Sequence, residues 1–218
     1  MSLAGALGSE CQGVEADITK EVEVRKAVGV AAARWNGLDG AVSNAALTGE
    51  GLIAEGNAFA PFEDYPLDVW RRVIDVNLTG SFLVARESGR AMKASGGNAS
   101  MVLVSSIYGL IAPDHRIYDG QPFKSFAAYS ASKAGIVGLT RWLATWWAKD
   151  GIRVNCLAPG GTYNDHDPAF AAAYSTRVPL GRMANRDELS ASLLFLLSDA
   201  SSYITGQVLA VDGGMSAW

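Results

Sequence analysis

Cysteine is almost missing from this sequence. Cys11 and Cys156 are the only two in 218 residues. That is too few for a disulfide scaffold, so reduced thiols in a cytoplasmic protein are the expectation. Histidine is as scarce: His115 and His166 stand apart from any cysteine cluster, and no zinc or other metal site is expected. Charged residues make up 18% of the chain and sum to −4, which argues against nucleic acid or an anionic membrane as partner. No apolar run approaches the length of a membrane span. The opening stretch MSLAGALGSECQ has no basic segment followed by an apolar one, as a secretory signal would.

Hydrophobic residues supply 49% of the chain, enough for the core of one domain over residues 1–218. Short apolar runs alternate with longer helical ones. The pattern predicts strands at 13–18, 38–46, 99–107, 152–158 and 207–213. It predicts helices at 19–35, with Thr19 as N-cap, at 67–95, bent near Gly80, and at 126–149, 168–176 and 186–197. Long loops fall at 47–66 and 113–125. The strand MVLV (101–104) is apolar at every position rather than at alternate ones. A strand buried on both faces reads this way, and strand–helix alternation then implies a parallel sheet with helices on both sides.

Tyr129 and Lys133 in YSASKAG are four residues apart, so on a helix they share a face. Such a pair is common by accident. Here it stands in an ordered set: VSNAA (42–46), DVNLTG (75–80), VSSIYG (104–109), YSASKAG (129–135), IRVNCLAPGG (152–161) and ASSYITGQVLAVDGG (200–214). From about residue 13 to the end, this set resembles the short-chain dehydrogenases/reductases. The resemblance implies a Rossmann-like, doubly wound α/β fold and an NAD- or NADP-dependent oxidoreductase interconverting a secondary alcohol and a ketone. It makes Tyr129 the general acid/base. An ordinary phenol, with a pKa of about 10, exchanges protons poorly near neutrality, and the Lys133 cation is expected to lower that value. Ser106 matches the serine that orients the substrate oxygen. Asn77 matches the asparagine that distorts a helix and holds a water behind the lysine. Asp17 and Ile18 match adenine contacts. Asn44, Ala45 and Ala46 match the ribose-side turn, although Ser43 and Ala46 replace the family's usual asparagine and glycine. Pro159, Gly160 and, with a shifted position, Thr162 match contacts near the nicotinamide, as do Tyr129 and Lys133.

One family feature has no counterpart. The glycine-rich turn between a first strand and helix, which holds the cofactor's pyrophosphate, matches nothing here. LAGALGSE (3–10) has glycines but no strand before it. The expectation is that the N-terminal βαβ segment is missing from this sequence and that the natural protein carries it. With it goes the residue that separates NAD from NADP. Two other readings stand beside the oxidoreductase: a dehydratase or epimerase of the same family, and a non-catalytic scaffold that lost its cofactor cradle. Four intact catalytic positions argue against the scaffold.

The stretch between Ser106 and Tyr129 is longer than the family's usual one. It carries Asp114, His115, Arg116, Tyr118, Asp119 and Lys124, and the later loop adds Asn164, Asp165, His166 and Asp167. Loops at strand ends shape the substrate site, so a small polar substrate is expected: a sugar, a polyol or a hydroxy acid derivative. Trp142 and Trp146 share one face of helix 126–149. With helix 67–95 they imply a homodimer or homotetramer.

Overall fold

The structure is a computed structural model and describes residues 10–54 and 57–218. Four strands, β1 (Gly40–Ser43), β2 (Ser100–Val104), β3 (Arg153–Pro159) and β4 (Val208–Val211), form one parallel sheet in the order β1-β2-β3-β4. The helices are α1 (Glu21–Trp35), α2 (Leu67–Ile74), α3 (Gly80–Ala94), α4 (Ala127–Trp147), α5 (Pro168–Ser175) and α6 (Arg186–Leu197).

The unbroken apolar runs have a direct cause. Met101, Leu103, Val154 and Cys156 point to one face and pack with Met92 of α3 and Ile136, Leu143 and Trp147 of α4. Val102 and Leu157, one residue out of phase, point to the other face and meet Leu196 of α6. Side chains alternate along a strand, so a sheet covered on both sides needs apolar residues at every position. The architecture is the doubly wound, Rossmann-like α/β arrangement expected from the sequence.

Three expectations need correction. Residues 13–18 form no strand: among the described residues β1 pairs only with β2, and a segment without a ladder partner has no sheet to join. Ile18 instead packs over Gly80, where an added Cβ would lie 2.7 Å from its side chain. Thr19 is not the N-cap of α1. Lys20 occupies that position, and the Thr19 hydroxyl donates to Asp17 Oδ1 at 2.7 Å. Finally, the 67–95 helix is not simply bent. A π-helical turn, Asp75–Thr79, joins α2 to α3 just before Gly80, and Asn77 lies inside that turn.

Candidate active site

The carboxyl ends of the strands meet the N-terminal half of α4. The backbone after β2 is fixed by two serines. Ser105 Oγ donates to the Lys133 carbonyl at 2.7 Å, tying this turn to α4. Ser106 heads the short 3-10 turn Ile107–Gly109, and its Oγ accepts from the Tyr108 N–H at 3.2 Å. Gly109 permits the close approach. A Cβ there would stand 2.6 Å from Ser105 Oγ and 2.7 Å from the Lys133 carbonyl carbon. The resemblance assigns a role to Ser106 and none to Ser105, whose tie to Lys133 appears only in the fold.

Two cavities open on this junction. One, of about 510 Å³, is lined by Asn44, Ala45, Ala46, Ser106, Tyr129, Lys133, Pro159, Gly160 and Thr162. It gathers nine of the residues marked from the sequence. Small side chains and strand-end backbone form its walls, with Lys133 as its buried cation, and these features fit the nicotinamide–ribose half of a dinucleotide. The other cavity, of about 390 Å³, shares Ser106, Tyr129, Gly160 and Thr162 with the first and extends among Tyr108, Tyr118, Phe123, Phe170 and Tyr174. These rings pack on one another: Phe123 on Phe170 at 5.2 Å and Tyr118 on Phe170 at 5.6 Å between centroids. The sequence reading had not marked Tyr108, Phe170 or Tyr174, which come together only through folding.

Asn77, Asp17 and Ile18 lie outside the first cavity. Asn77 has 0% of its surface exposed. Its Oδ1 accepts from the Leu47 N–H at 2.7 Å, and its Nδ2 donates to the Leu47 carbonyl and to Ser132 Oγ at 3.2 and 3.1 Å. It therefore clamps the loop after β1 against α4. Asp17 is engaged at the start of α1 with Thr19 and Lys20.

The electrostatics differ from the sequence expectation in one respect. Burial pushes the Tyr129 phenol above its ordinary pKa, with only a hydrogen bond to Ser106 opposing it. Burial also lowers the pKa of Lys133, to about 8. Lys133 is 3% exposed.

The polar residues of the two loops divide. Lys124, Asn164 and His166 line the aromatic cavity. Asp114 is engaged with Arg116 and Arg177. Asp167 caps α5, accepting from the Ala169 and Phe170 N–H groups. Cys156 is a buried free thiol, and among the described residues no group of three or more metal-ligating side chains is present. No helix of the described residues is long and apolar enough to cross a membrane. On the outer surface of α4, Trp142 and Trp146 are stacked at 5.1 Å and 57% and 60% exposed, while Trp147 is buried in the core.

Known proteins are similar to this chain in sequence and fold. A family model described as enoyl-(acyl carrier protein) reductase matches residues 1–216. The chain is 40% identical to cis-4-hydroxycyclohexanecarboxylate dehydrogenase of Sinomonas cyclohexanicum, over 96% of this chain and 78% of that one. It is 33% identical to 2,5-dichloro-2,5-cyclohexadiene-1,4-diol dehydrogenase of Sphingobium indicum, over 99% of this chain and 82% of that one. A crystal structure of a short-chain dehydrogenase from Leptospira borgpetersenii with bound NAD+ superposes with a TM-score of 0.85 at 33% identity, covering 96% of this chain and 77% of that one. On sequence, fold and the arrangement at the strand ends together, the chain belongs to the short-chain dehydrogenase/reductase family of oxidoreductases.

Proposed function

We propose that the protein is an NAD- or NADP-dependent dehydrogenase that oxidises a secondary alcohol on a six-membered carbocycle, the ring carrying a second oxygen function across from the reacting carbon. The observation that carries this reading is the shared boundary of the two cavities: Ser106 and Tyr129 line both the small-residue cleft and the aromatic pocket. An alcohol carbon seated there faces the cofactor cleft and keeps its ring among Tyr108, Phe123, Phe170 and Tyr174. Both relatives named above act, by their names, on six-membered rings bearing oxygen functions in a 1,4 relation.

A bound nicotinamide cofactor would supply the hydride acceptor for the alcohol carbon. Lys133, with Asn44, Ala45, Ala46, Pro159, Gly160 and Thr162, is suited to hold its nicotinamide–ribose half. Ser106 Oγ holds the substrate oxygen, and Tyr129 takes its proton during oxidation and returns it during reduction. Asn77 supports this from behind by keeping the loop after β1 on α4. One domain then contains the whole acid/base site. The stacked Trp142 and Trp146 favour a homodimer or homotetramer through α3 and α4, and the scarcity of cysteine suits the cytoplasm.

The test is a substrate panel with NAD+ and NADP+ on the full-length natural protein, following reduced cofactor by absorbance. Ring alcohols such as the isomers of 4-hydroxycyclohexanecarboxylate should be turned over faster than acyclic secondary alcohols of similar size. Efficient turnover of acyclic alcohols, with none of the ring compounds, rejects the reading.

A further inference from the structure

We propose that Tyr108 and Tyr118 act as a pair to hold the second oxygen function of the substrate ring, one phenol donating to that oxygen while the other fixes it in place. The proposal rests on the ring-alcohol reading above.

The two phenol oxygens lie 2.9 Å apart, and both side chains line the aromatic cavity that also holds Ser106 and Tyr129. Two hydroxyls carry two protons. The hydrogen bond between them uses one, so the other is left to donate elsewhere. Among the described residues neither hydroxyl bonds a third group. The free donor is that of the half-buried Tyr108, which an acceptor entering the cavity can engage in place of water.

The pair is held rigidly from both sides. The Tyr108 N–H is bonded to Ser106 Oγ, which ties the backbone carrying Tyr108 to the atom that would hold the reacting oxygen. Tyr118 closes the 3-10 turn His115–Tyr118, and its ring packs against Phe123 and Phe170 at 5.8 and 5.6 Å. Burial also raises both phenol pKa values, that of Tyr118 to about 12, so both remain donors through the neutral range. A phenol proton left free on the wall of this cavity suits a carboxylate, carbonyl or ether oxygen. To a carboxylate the bond is charge-assisted, and such bonds are roughly twice as strong as neutral ones.

A site built to bond an oxygen rejects the analogue that lacks it. The experiment compares 4-hydroxycyclohexanecarboxylate with 4-methylcyclohexanol on the full-length protein, for the wild type and for Tyr108→Phe, Tyr118→Phe and the double variant. The readout is the ratio of kcat/KM for the acid to that for the methyl compound. The wild type should favour the acid by roughly 10- to 100-fold, the range set by one hydrogen bond to a charged group. The double variant should lose most of that preference, mainly through KM for the acid. Thermal melting and NADH affinity serve as controls for folding and for the neighbouring cleft. A wild-type ratio near one overturns the proposal without needing any variant. So does a double variant that folds, binds NADH and keeps the full preference. Failure of the wild type to oxidise either ring compound is a different result: it removes the ring-alcohol reading and this proposal with it.

Discussion

The Lys133 ammonium donates to the carbonyl of Val104, the last residue of β2, at 3.0 Å. A helix residue thereby spends part of its charge on a strand end. The same lysine lies 5.6 Å from the centre of the Tyr129 ring. The Tyr129–Lys133 pair is thus held by the sheet as much as by the spacing within α4.

The buried lysine makes stability depend on pH in a defined window. Burial lowers its pKa from 10.5 to about 8 in the folded chain. Between those values the unfolded chain binds a proton that the folded chain has released, so the unfolding free energy rises with pH. Below pH 8 the full cost of keeping the buried cation applies, about 3 kcal/mol by the ordinary conversion of pKa to energy, and it is relieved by pH 10.5. Urea unfolding of the cofactor-free protein and of Lys133→Met across pH 7 to 10.5 measures this. The difference between the two should shift in favour of the wild type as pH rises; parallel profiles contradict it.

Tyr129→Phe removes the proton-transfer group and leaves the ring. kcat should fall roughly 10²- to 10⁴-fold, the usual contribution of a positioned acid/base. NADH affinity should stay within about threefold, because the phenol hydroxyl contributes little to holding a dinucleotide. Stopped-flow turnover and fluorescence titration separate the two effects. Near-normal kcat would remove Tyr129 from the mechanism.

Asn77→Ala should act on stability as well as on rate. It deprives the half-buried Leu47 N–H and carbonyl of their side-chain partner and removes the tie to Ser132. Leaving such groups unpaired costs about 1–3 kcal/mol, read as a lower urea midpoint with an unchanged slope. Turnover should fall as well, since the clamp sets the loop after β1 against α4.

The three tryptophans of α4 should separate cleanly. Trp147 belongs to the core cluster between α4 and the sheet, so Trp147→Ala should cost about 3–5 kcal/mol of protomer stability. Trp142 and Trp146 are stacked on the surface. Replacing both with Ser should reduce the assembly's size in sedimentation velocity while the folded protomer persists. An unchanged sedimentation coefficient would place the interface elsewhere.

Much of this was legible in the chain. The boundaries of α6 fall at 186–197 as read from its pattern, because Asn185 and Glu188 form a local capping box that needs no distant partner. The continuous apolar run Met101–Val104 announced a strand buried on both faces, since that pattern follows from covering a sheet on both sides. Residues 13–18 show the opposite case. The sequence predicts a strand there and the structure has none, because a strand exists only where another offers its hydrogen bonds. Thr19 likewise suits a helix cap by type, yet the nearer Asp17 carboxylate took its hydroxyl.

The site divides along the same line. Sequence alone determined the Tyr129–Lys133 spacing, the order of motifs around it and therefore the family, since residues one helical turn apart meet whatever the rest of the chain does. Only the tertiary structure decided that Tyr108, Tyr118, Phe170 and Tyr174 share one cavity with Ser106. It also decided that burial governs the pKa of Tyr129 and of Lys133. Contacts between distant segments, and the water they exclude, are properties of packing, and no local spacing encodes them.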